Sequence, residues 1–134
     1  MPIRFFVDEN MLAVAFALAA VRDDVVHPGH RLLPEVPTGT VDPTWLPIIG
    51  ANGRNLIVFT RDKGIQRKTG EALLLRDHGV RMFVLTGKKD LTAWEKLDLL
   101  VRSWAKIEKC VATNGAGPWV QRVTTAGVRD LVLW

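Results

Sequence analysis

The stretch Asn55-Leu56-Ile57-Val58-Phe59-Thr60-Arg61-Asp62 decides the fold, because a short β-rich apolar run stops abruptly at charged residues. A second run of this kind, Ile3-Arg4-Phe5-Phe6-Val7, is followed by Asp8-Glu9-Asn10. Runs of this length and composition are typical of strands buried in a parallel sheet. In open α/β sheets, ligands bind outside the carboxyl ends of such strands. If the two strands are neighbours, the carboxylates of Asp8 and Asp62 converge at that edge.

A third carboxylate, Asp42, is followed directly by Pro43, which is a signal for the start of a helix. Converging carboxylates repel one another unless one is protonated or a cation lies among them. Sites made only of oxygen ligands suit Mg²⁺ or Mn²⁺. The sequence therefore predicts that Asp8, Asp42 and Asp62 hold one of these metals. For any one of the three alone, capping of the next helix is the simpler interpretation.

The rest of the sequence predicts an alternation of strands and helices, with a loop over residues 27–40 that contains three prolines. Strands are expected at 3–7, 25–26, 56–60, 80–86, 119–123 and 128–133. Helices are expected at 11–21, from 42 onward with an interruption at Pro47, at 65–78, and from the capping box at Thr92 to about 111. This order predicts a single domain over residues 1–134. Its fold is a three-layer α/β/α sandwich with a mostly parallel central sheet and a C-terminal β-hairpin.

Composition sets further limits. The chain has 134 residues, of which 48% are hydrophobic, and this suits one globular unit with one core. The net charge of +4 suits a polyanionic partner, although an ordinary basic protein explains it equally well. Cys110 is the only cysteine, so no disulfide can form within the chain, and a reducing cytoplasm is the simplest location. No apolar stretch approaches the roughly 20 residues that span a bilayer, so we expect no membrane partner.

Basic residues surround the Asp62 motif. Arg61, Lys63, Arg67 and Lys68 lie where they could bind the phosphates of a nucleic acid, and a solvated basic surface is an equal alternative. Trp45 lies close to Asp42 in the sequence and is the one tryptophan considered for base stacking. The long helix is expected to bury a single apolar face, composed of Trp94, Leu97, Leu100, Val101, Trp104 and Ile107.

The sequence resembles a known family of nucleases. Phe5-Phe6-Val7-Asp8-Glu9-Asn10 looks like the opening of PIN-type nuclease domains. Asp42, Trp45-Leu46 and the stretch from Leu56 to Ile65 resemble the second half of those domains, in which a strand runs into a Thr-x-Asp motif. The resemblance covers about residues 3–86. It is strongest to the compact VapC-like toxins of bacterial toxin–antitoxin pairs.

This PIN-like resemblance implies an endoribonuclease that depends on Mg²⁺ or Mn²⁺, acts on RNA as a toxin, and is blocked by a cognate antitoxin protein. It implies that Asp8, Asp42 and Asp62 are the catalytic and metal-binding acids. Thr60 and Asn10 correspond to the residues that support them. One further family acid, a glutamate on a helix between the first strand and the Asp42 position, has no counterpart here. Glu9 and Glu35 are the candidates to replace it, and Glu9 is the nearer.

Two other interpretations stay open at this point. Asp8-Glu9, Asp62, Thr86 and Lys88 imitate the acids, threonine and lysine of a receiver-like phospho-acceptor domain, although a terminal hairpin would argue against it. The missing family acid would also suit a catalytically inactive PIN-like module that binds RNA or a protein partner. A homodimer is compatible with each interpretation.

Overall fold

The computed structural model describes residues 2–61, 69–87 and 90–131 of the chain. Its strands are β1 (Phe5–Val7), β2 (Val25–Val26), β3 (Ile57–Arg61), β4 (Arg81–Leu85), β5 (Trp119–Thr124) and β6 (Gly127–Asp130). Its helices are α1 (Leu12–Val21), α2 (Asp42–Ile49), α3 (Thr69–Asp77) and α4 (Ala93–Asn114), and a 3₁₀ turn covers Glu9–Met11. The predicted order of strands and helices is confirmed. Residues 65–68 of the predicted third helix and 132–133 of the last predicted strand lie outside the described residues.

The six strands form one sheet in the order β2-β1-β3-β4-β5-β6. All neighbouring pairs are parallel except β5 and β6, which form the predicted antiparallel hairpin. The carboxyl ends of β1, β3, β4 and β5 therefore meet at one edge of the sheet. This mixed, mostly parallel sheet with helices confirms the predicted α/β class.

Apolar side chains cover both faces of the sheet. On one face, Phe5, Phe59 and Phe83 stack in a row beneath α1 and α4, with ring centroids 5.3 and 5.5 Å apart. On the other face, Phe6 and Val58 pack beneath α2, α3 and the loop that follows β2. Because successive side chains of a strand point to opposite faces, the adjacent residues Phe5 and Phe6 of β1 pack in two separate cores. The chain is thus built in three layers.

Local signals explain where the helices begin and end. The capping box predicted at Thr92 is present, since the Glu95 N–H donates to the Thr92 hydroxyl at 3.1 Å and the Glu95 carboxylate accepts from the Thr92 N–H at 2.9 Å. The predicted interruption at Pro47 is wrong, because α2 continues through this residue, which lies on its exposed side, and ends two residues later at Ile49. The loop after β2 packs against the core through Leu33 and Val36, which are completely buried. In the part of the chain that the structure describes, no helix could cross a bilayer.

The predicted apolar face of α4 is wrong at two positions. Leu100 and Ile107 are buried as expected, but Trp94 and Val101 are 77% and 60% exposed. The buried stripe instead takes in Leu99 together with Ser103. At about 100° per residue, Val101 and Trp94 lie about 100° and 120° from Leu100, on the side away from this stripe. The helix is therefore rotated relative to the face that the apolar spacing suggested.

This orientation of α4 predicts that truncation of Leu100 and truncation of its neighbour Val101 change the stability of the protein by different amounts. Leu100→Ala should destabilise the protein by about 2–5 kcal/mol, because it leaves a cavity in the core. Val101→Ala should change the free energy of unfolding by less than about 0.5 kcal/mol, because the valine side chain is exposed. Urea unfolding of both variants measures the difference. Equal destabilisation would contradict the observed orientation of α4.

Candidate active site

The site begins where β1 and β3 end side by side. Val7 lies opposite Phe59 in the parallel register, and the Asp8 N–H donates to the Phe59 carbonyl at 2.9 Å. The next residue of β3, Thr60, is nearly buried, and its hydroxyl donates to Asp8 Oδ2 at 2.8 Å. The pairing of the two strands thus places a hydroxyl donor directly against the first predicted acid.

Asn10 completes this arrangement from the 3₁₀ turn after β1. Its Nδ2 donates to the Thr60 hydroxyl oxygen at 3.1 Å and to the Arg61 carbonyl at 3.2 Å. The Thr60 hydroxyl therefore accepts one hydrogen bond while it donates another to Asp8. A chain of this kind holds the Asp8 carboxylate in one orientation. The structure thus brings Thr60 and Asn10, the predicted supporting residues, to the first acid.

Asp42 lies in the first turn of α2, one residue after the helix N-cap at Val41. The indole N–H of Trp45, one turn later, donates to Asp42 Oδ1 at 3.1 Å. Trp45 is 2% exposed and packs against Phe6, with ring centroids 5.0 Å apart. A ring with this burial has no open face for base stacking. Trp45 instead positions Asp42.

Asp8, Asp42 and Thr60 line one small cavity together with Glu71, a residue that the sequence analysis did not select. The cavity has a volume of about 30 Å³, and its remaining walls are Trp45, Leu46, Leu75 and Met82. Glu71 lies in the first turn of α3. The signal in the sequence was a carboxylate within the helix predicted at 65–78, directly after the Thr-x-Asp motif.

The ionised form of Asp8 is electrostatically unfavourable in the absence of a cation. Burial raises the pKa of Asp8 above its usual value, and the charge of Asp42 raises it further. The hydrogen bond from Thr60 acts in the opposite direction but does not cancel the effect of burial. A cation in the cavity would favour the ionised form of Asp8.

The chemistry of the cavity suits a divalent cation that prefers oxygen ligands, since the carboxylate residues Asp8, Asp42 and Glu71 line it. Its volume exceeds the 10–15 Å³ or so that one water needs, so an ion of similar size fits. Among the described residues, no group of three or more His, Cys, Asp or Glu converges closely enough to hold a metal. Asp62, the third predicted ligand, lies outside the described residues. The carboxylates of Asp8, Asp42 and Glu71 therefore do not form a complete set of metal ligands by themselves.

The two glutamates considered as replacements for the missing family acid have other partners. Glu9 Oε1 accepts from the Gly39 N–H at 2.6 Å and ties the long loop to the start of the site. Glu35 forms two hydrogen bonds of 2.7 Å with Arg54. Neither residue lines the cavity. Glu71 is the described glutamate that does.

The predicted nucleic-acid-binding cations are mostly beyond the described residues, since Lys63, Arg67 and Lys68 lie outside them. Arg61 is described, and its guanidinium pairs with Asp90. Arg61 lies opposite Leu85, whose side chain belongs to the core beneath α1 and α4. Its side chain therefore points to the face of the sheet away from the cavity, which gives no support to the predicted role.

Comparison with models of protein families gives a match over most of the strands and helices that form the cavity. A family model described as a PIN like domain matches residues 3–87, which is more than half of the chain and includes every residue of the cavity. No curated protein and no solved structure matches the chain.

The raised pKa of Asp8 predicts a pH-dependent stability difference. The folded state favours protonated Asp8, so this stabilisation is complete below the pKa of an unfolded aspartate, about 3.9, and is lost as pH rises through the folded pKa. In EDTA at neutral pH, Asp8→Asn should therefore unfold at a higher urea concentration than the wild type. The difference should shrink as the pH is lowered towards 4. Asp23→Asn, at an exposed position, is the matched control. A difference that did not vary with pH would contradict this account of Asp8.

Proposed function

The chain belongs to the PIN-like domain family, whose members are generally nucleases, and we propose that it is a divalent-metal-dependent endoribonuclease. The observation that carries the proposal is the convergence of Asp8, Asp42 and Glu71 on one cavity, with Thr60 bonded to Asp8. The charge of Asp42 disfavours ionised Asp8, and a pair of this kind suits a bound cation and not a purely structural role.

In the proposed site, Asp8, Asp42 and Asp62 hold Mg²⁺ or Mn²⁺, and Glu71 is a further oxygen donor. When bound, the metal activates water and neutralises the charge that develops on the phosphate. Thr60 donates its hydroxyl proton to Asp8 Oδ2 and so holds in one orientation a carboxylate that would bind the metal. Asn10 fixes the Thr60 hydroxyl from the opposite side. Trp45 keeps Asp42 turned to the cavity. These three residues act through the carboxylates that they orient.

We further propose that the protein is the toxin of a toxin–antitoxin pair that acts on RNA in the cytoplasm, with a cognate antitoxin that blocks the cavity. The support is the resemblance of Phe5–Asn10 and Thr60-Arg61-Asp62 to the motifs of VapC-like toxins. A catalytically inactive module is the second candidate, favoured by the absence of a three-ligand cluster among the described residues. The hairpin at β5 and β6 argues against the receiver-like alternative.

The nuclease proposal predicts graded effects at Asp8 and Thr60. Wild-type protein should cleave RNA with Mg²⁺ or Mn²⁺ and stop in EDTA, and Asp8→Ala should abolish cleavage. Thr60→Val keeps the shape of the side chain but removes the donor to Asp8, so the rate should fall by about 10- to 100-fold. Thr60→Ser retains the hydroxyl and should retain most of the activity. The measurement is the initial rate on a labelled single-stranded RNA.

As a control, circular dichroism and thermal melting show whether each variant is folded, so that a lower rate is not the result of unfolding. Metal-independent cleavage, or full activity of Asp8→Ala, would exclude the proposed site. A folded wild type that binds RNA but never cleaves it with either metal would establish the inactive-module alternative.

The toxin proposal predicts an effect on growing cells. Expression of the wild type should arrest growth of a bacterial host, because cleavage of cellular RNA stops protein synthesis. Asp62→Ala, which removes a proposed metal ligand, should not arrest growth at an equal protein level. Growth curves with matched immunoblots measure this. Harmless expression of a protein that cleaves RNA in vitro would indicate a processing enzyme and not a toxin.

A further inference from the structure

Two arginines of the terminal hairpin face each other without a described counter-charge. Arg122 of β5 lies directly opposite Arg129 of β6 in the antiparallel register, and both are exposed. Like charges at directly opposed positions destabilise a sheet. Most other described arginines contact a carboxylate, namely Arg4, Arg22, Arg54, Arg61, Arg76 and Arg102. In residues 2–61, 69–87 and 90–131, the structure gives neither hairpin arginine such a contact.

The register of the sheet connects this arginine pair to the candidate active site. Thr60 lies opposite Val84, Val84 lies opposite Arg122, and Arg122 lies opposite Arg129. Residues in one such row point to the same face of a sheet. Val84 belongs to the core beneath α2 and α3, and the walls of the acidic cavity belong to that core as well. The arginine pair therefore points to the face that carries the cavity.

The spacing of strands sets the distance along this row. Neighbouring strands lie about 4.8 Å apart, so the Cα atom of Arg122 is about 10 Å from that of Thr60, and the Cα atom of Arg129 about 15 Å. Helix α4 packs against the hairpin on the opposite face, where Val123 and Val128 contact its core. The two guanidinium groups are thus on an open part of the cavity face.

We propose that Arg122 and Arg129 form a second phosphate-binding site for the RNA substrate, remote from the acidic cavity. This inference rests on the proposed ribonuclease function. A stacked nucleic-acid strand carries one phosphate for about every 3.4 Å of rise, so the pair would bind phosphates about three to four nucleotides from the bond that is cut. Guanidinium groups form paired hydrogen bonds with phosphate oxygens, which suits arginine at both positions. A phosphate between the two side chains turns their mutual repulsion into attraction for the RNA.

The test is RNA binding by the wild type and by Arg122→Gln/Arg129→Gln, measured by fluorescence anisotropy over a series of KCl concentrations. All samples contain EDTA, so that the proposed nuclease activity cannot interfere. The double variant should bind a long single-stranded RNA more weakly. The slope of log Kd against log salt should fall by about 1.4, because each lost phosphate contact on a single strand contributes about 0.7. Arg122→Lys/Arg129→Lys should keep most of the slope, since it retains the charges.

The matched control is Lys106→Gln/Lys109→Gln, which removes the same charge from exposed positions of α4, across the sheet from the arginine pair. It should leave the slope unchanged. Equal losses in the two double variants would overturn the proposal in favour of a general electrostatic effect. An unchanged slope in the arginine variant would also overturn it, because the pair would then make no phosphate contact with RNA.

The proposal also predicts the stability of the free protein. Without RNA, the arginine double variant should melt at or above the temperature of the wild type, because two like charges are removed. A lower melting temperature would mean that the pair serves the fold, and this would overturn the proposal. Failure of the proposed nuclease function can be distinguished from failure of this inference. In that case the wild type would not cleave RNA with Mg²⁺ or Mn²⁺, but the salt slopes of the wild type and the arginine variant would still differ.

Discussion

The parallel pairing of β1 with β3 is the constraint on which the candidate site depends. It brings Asp8 and Thr60 within 2.8 Å of each other from positions 52 residues apart in the chain. Both strands are apolar on both faces, so no alternation of polar and apolar residues selects their register. The register is held by large side chains, since Phe5 stacks on Phe59 and Phe6 packs on Trp45. A slip of one residue would exchange the two cores and turn Thr60 away from Asp8.

The buried Asp24 and the half-buried Asp8 show how the surroundings of an aspartate set the direction of its pKa shift. Asp24 is buried just before β2, and Arg22 pairs with it through hydrogen bonds of 2.8 and 2.9 Å. Burial acts to raise the pKa of Asp24, but the hydrogen bonds and charge of Arg22 outweigh it, and the pKa is lowered. Asp8 has a neutral hydroxyl where Asp24 has a guanidinium, and its pKa is raised. Among the described residues, the fold gives Asp24 a cationic partner and gives Asp8 none.

Much of the fold could be predicted because its signals are local. The apolar runs ending at Asp8 and Asp62, the Asp42-Pro43 pair and the capping box at Thr92 each act within a few residues. The orientation of α4, in contrast, is not set by local signals in the sequence. Trp94 and Val101 fit an apolar stripe by spacing, but packing on the curved face of the sheet selected a stripe centred nearer Ser103. Glu71 was missed for a related reason, because its approach to Asp8 depends on how α3 returns across the sheet.

The arrangement of charge on the cavity face follows from two opposing requirements of phosphodiester chemistry. A metal site needs uncompensated carboxylates, whereas a polyanionic substrate needs cations. Where the two sets lie side by side, each partly offsets the charge of the other. The Cα atoms of Arg122 and Arg129 lie about 10 and 15 Å from that of Thr60, which is beyond the screening length of about 8 Å at physiological salt. At these distances salt weakens the effect of the arginines on Asp8 and Asp42, whereas a strand of RNA bound as proposed would be long enough to contact both sites at once.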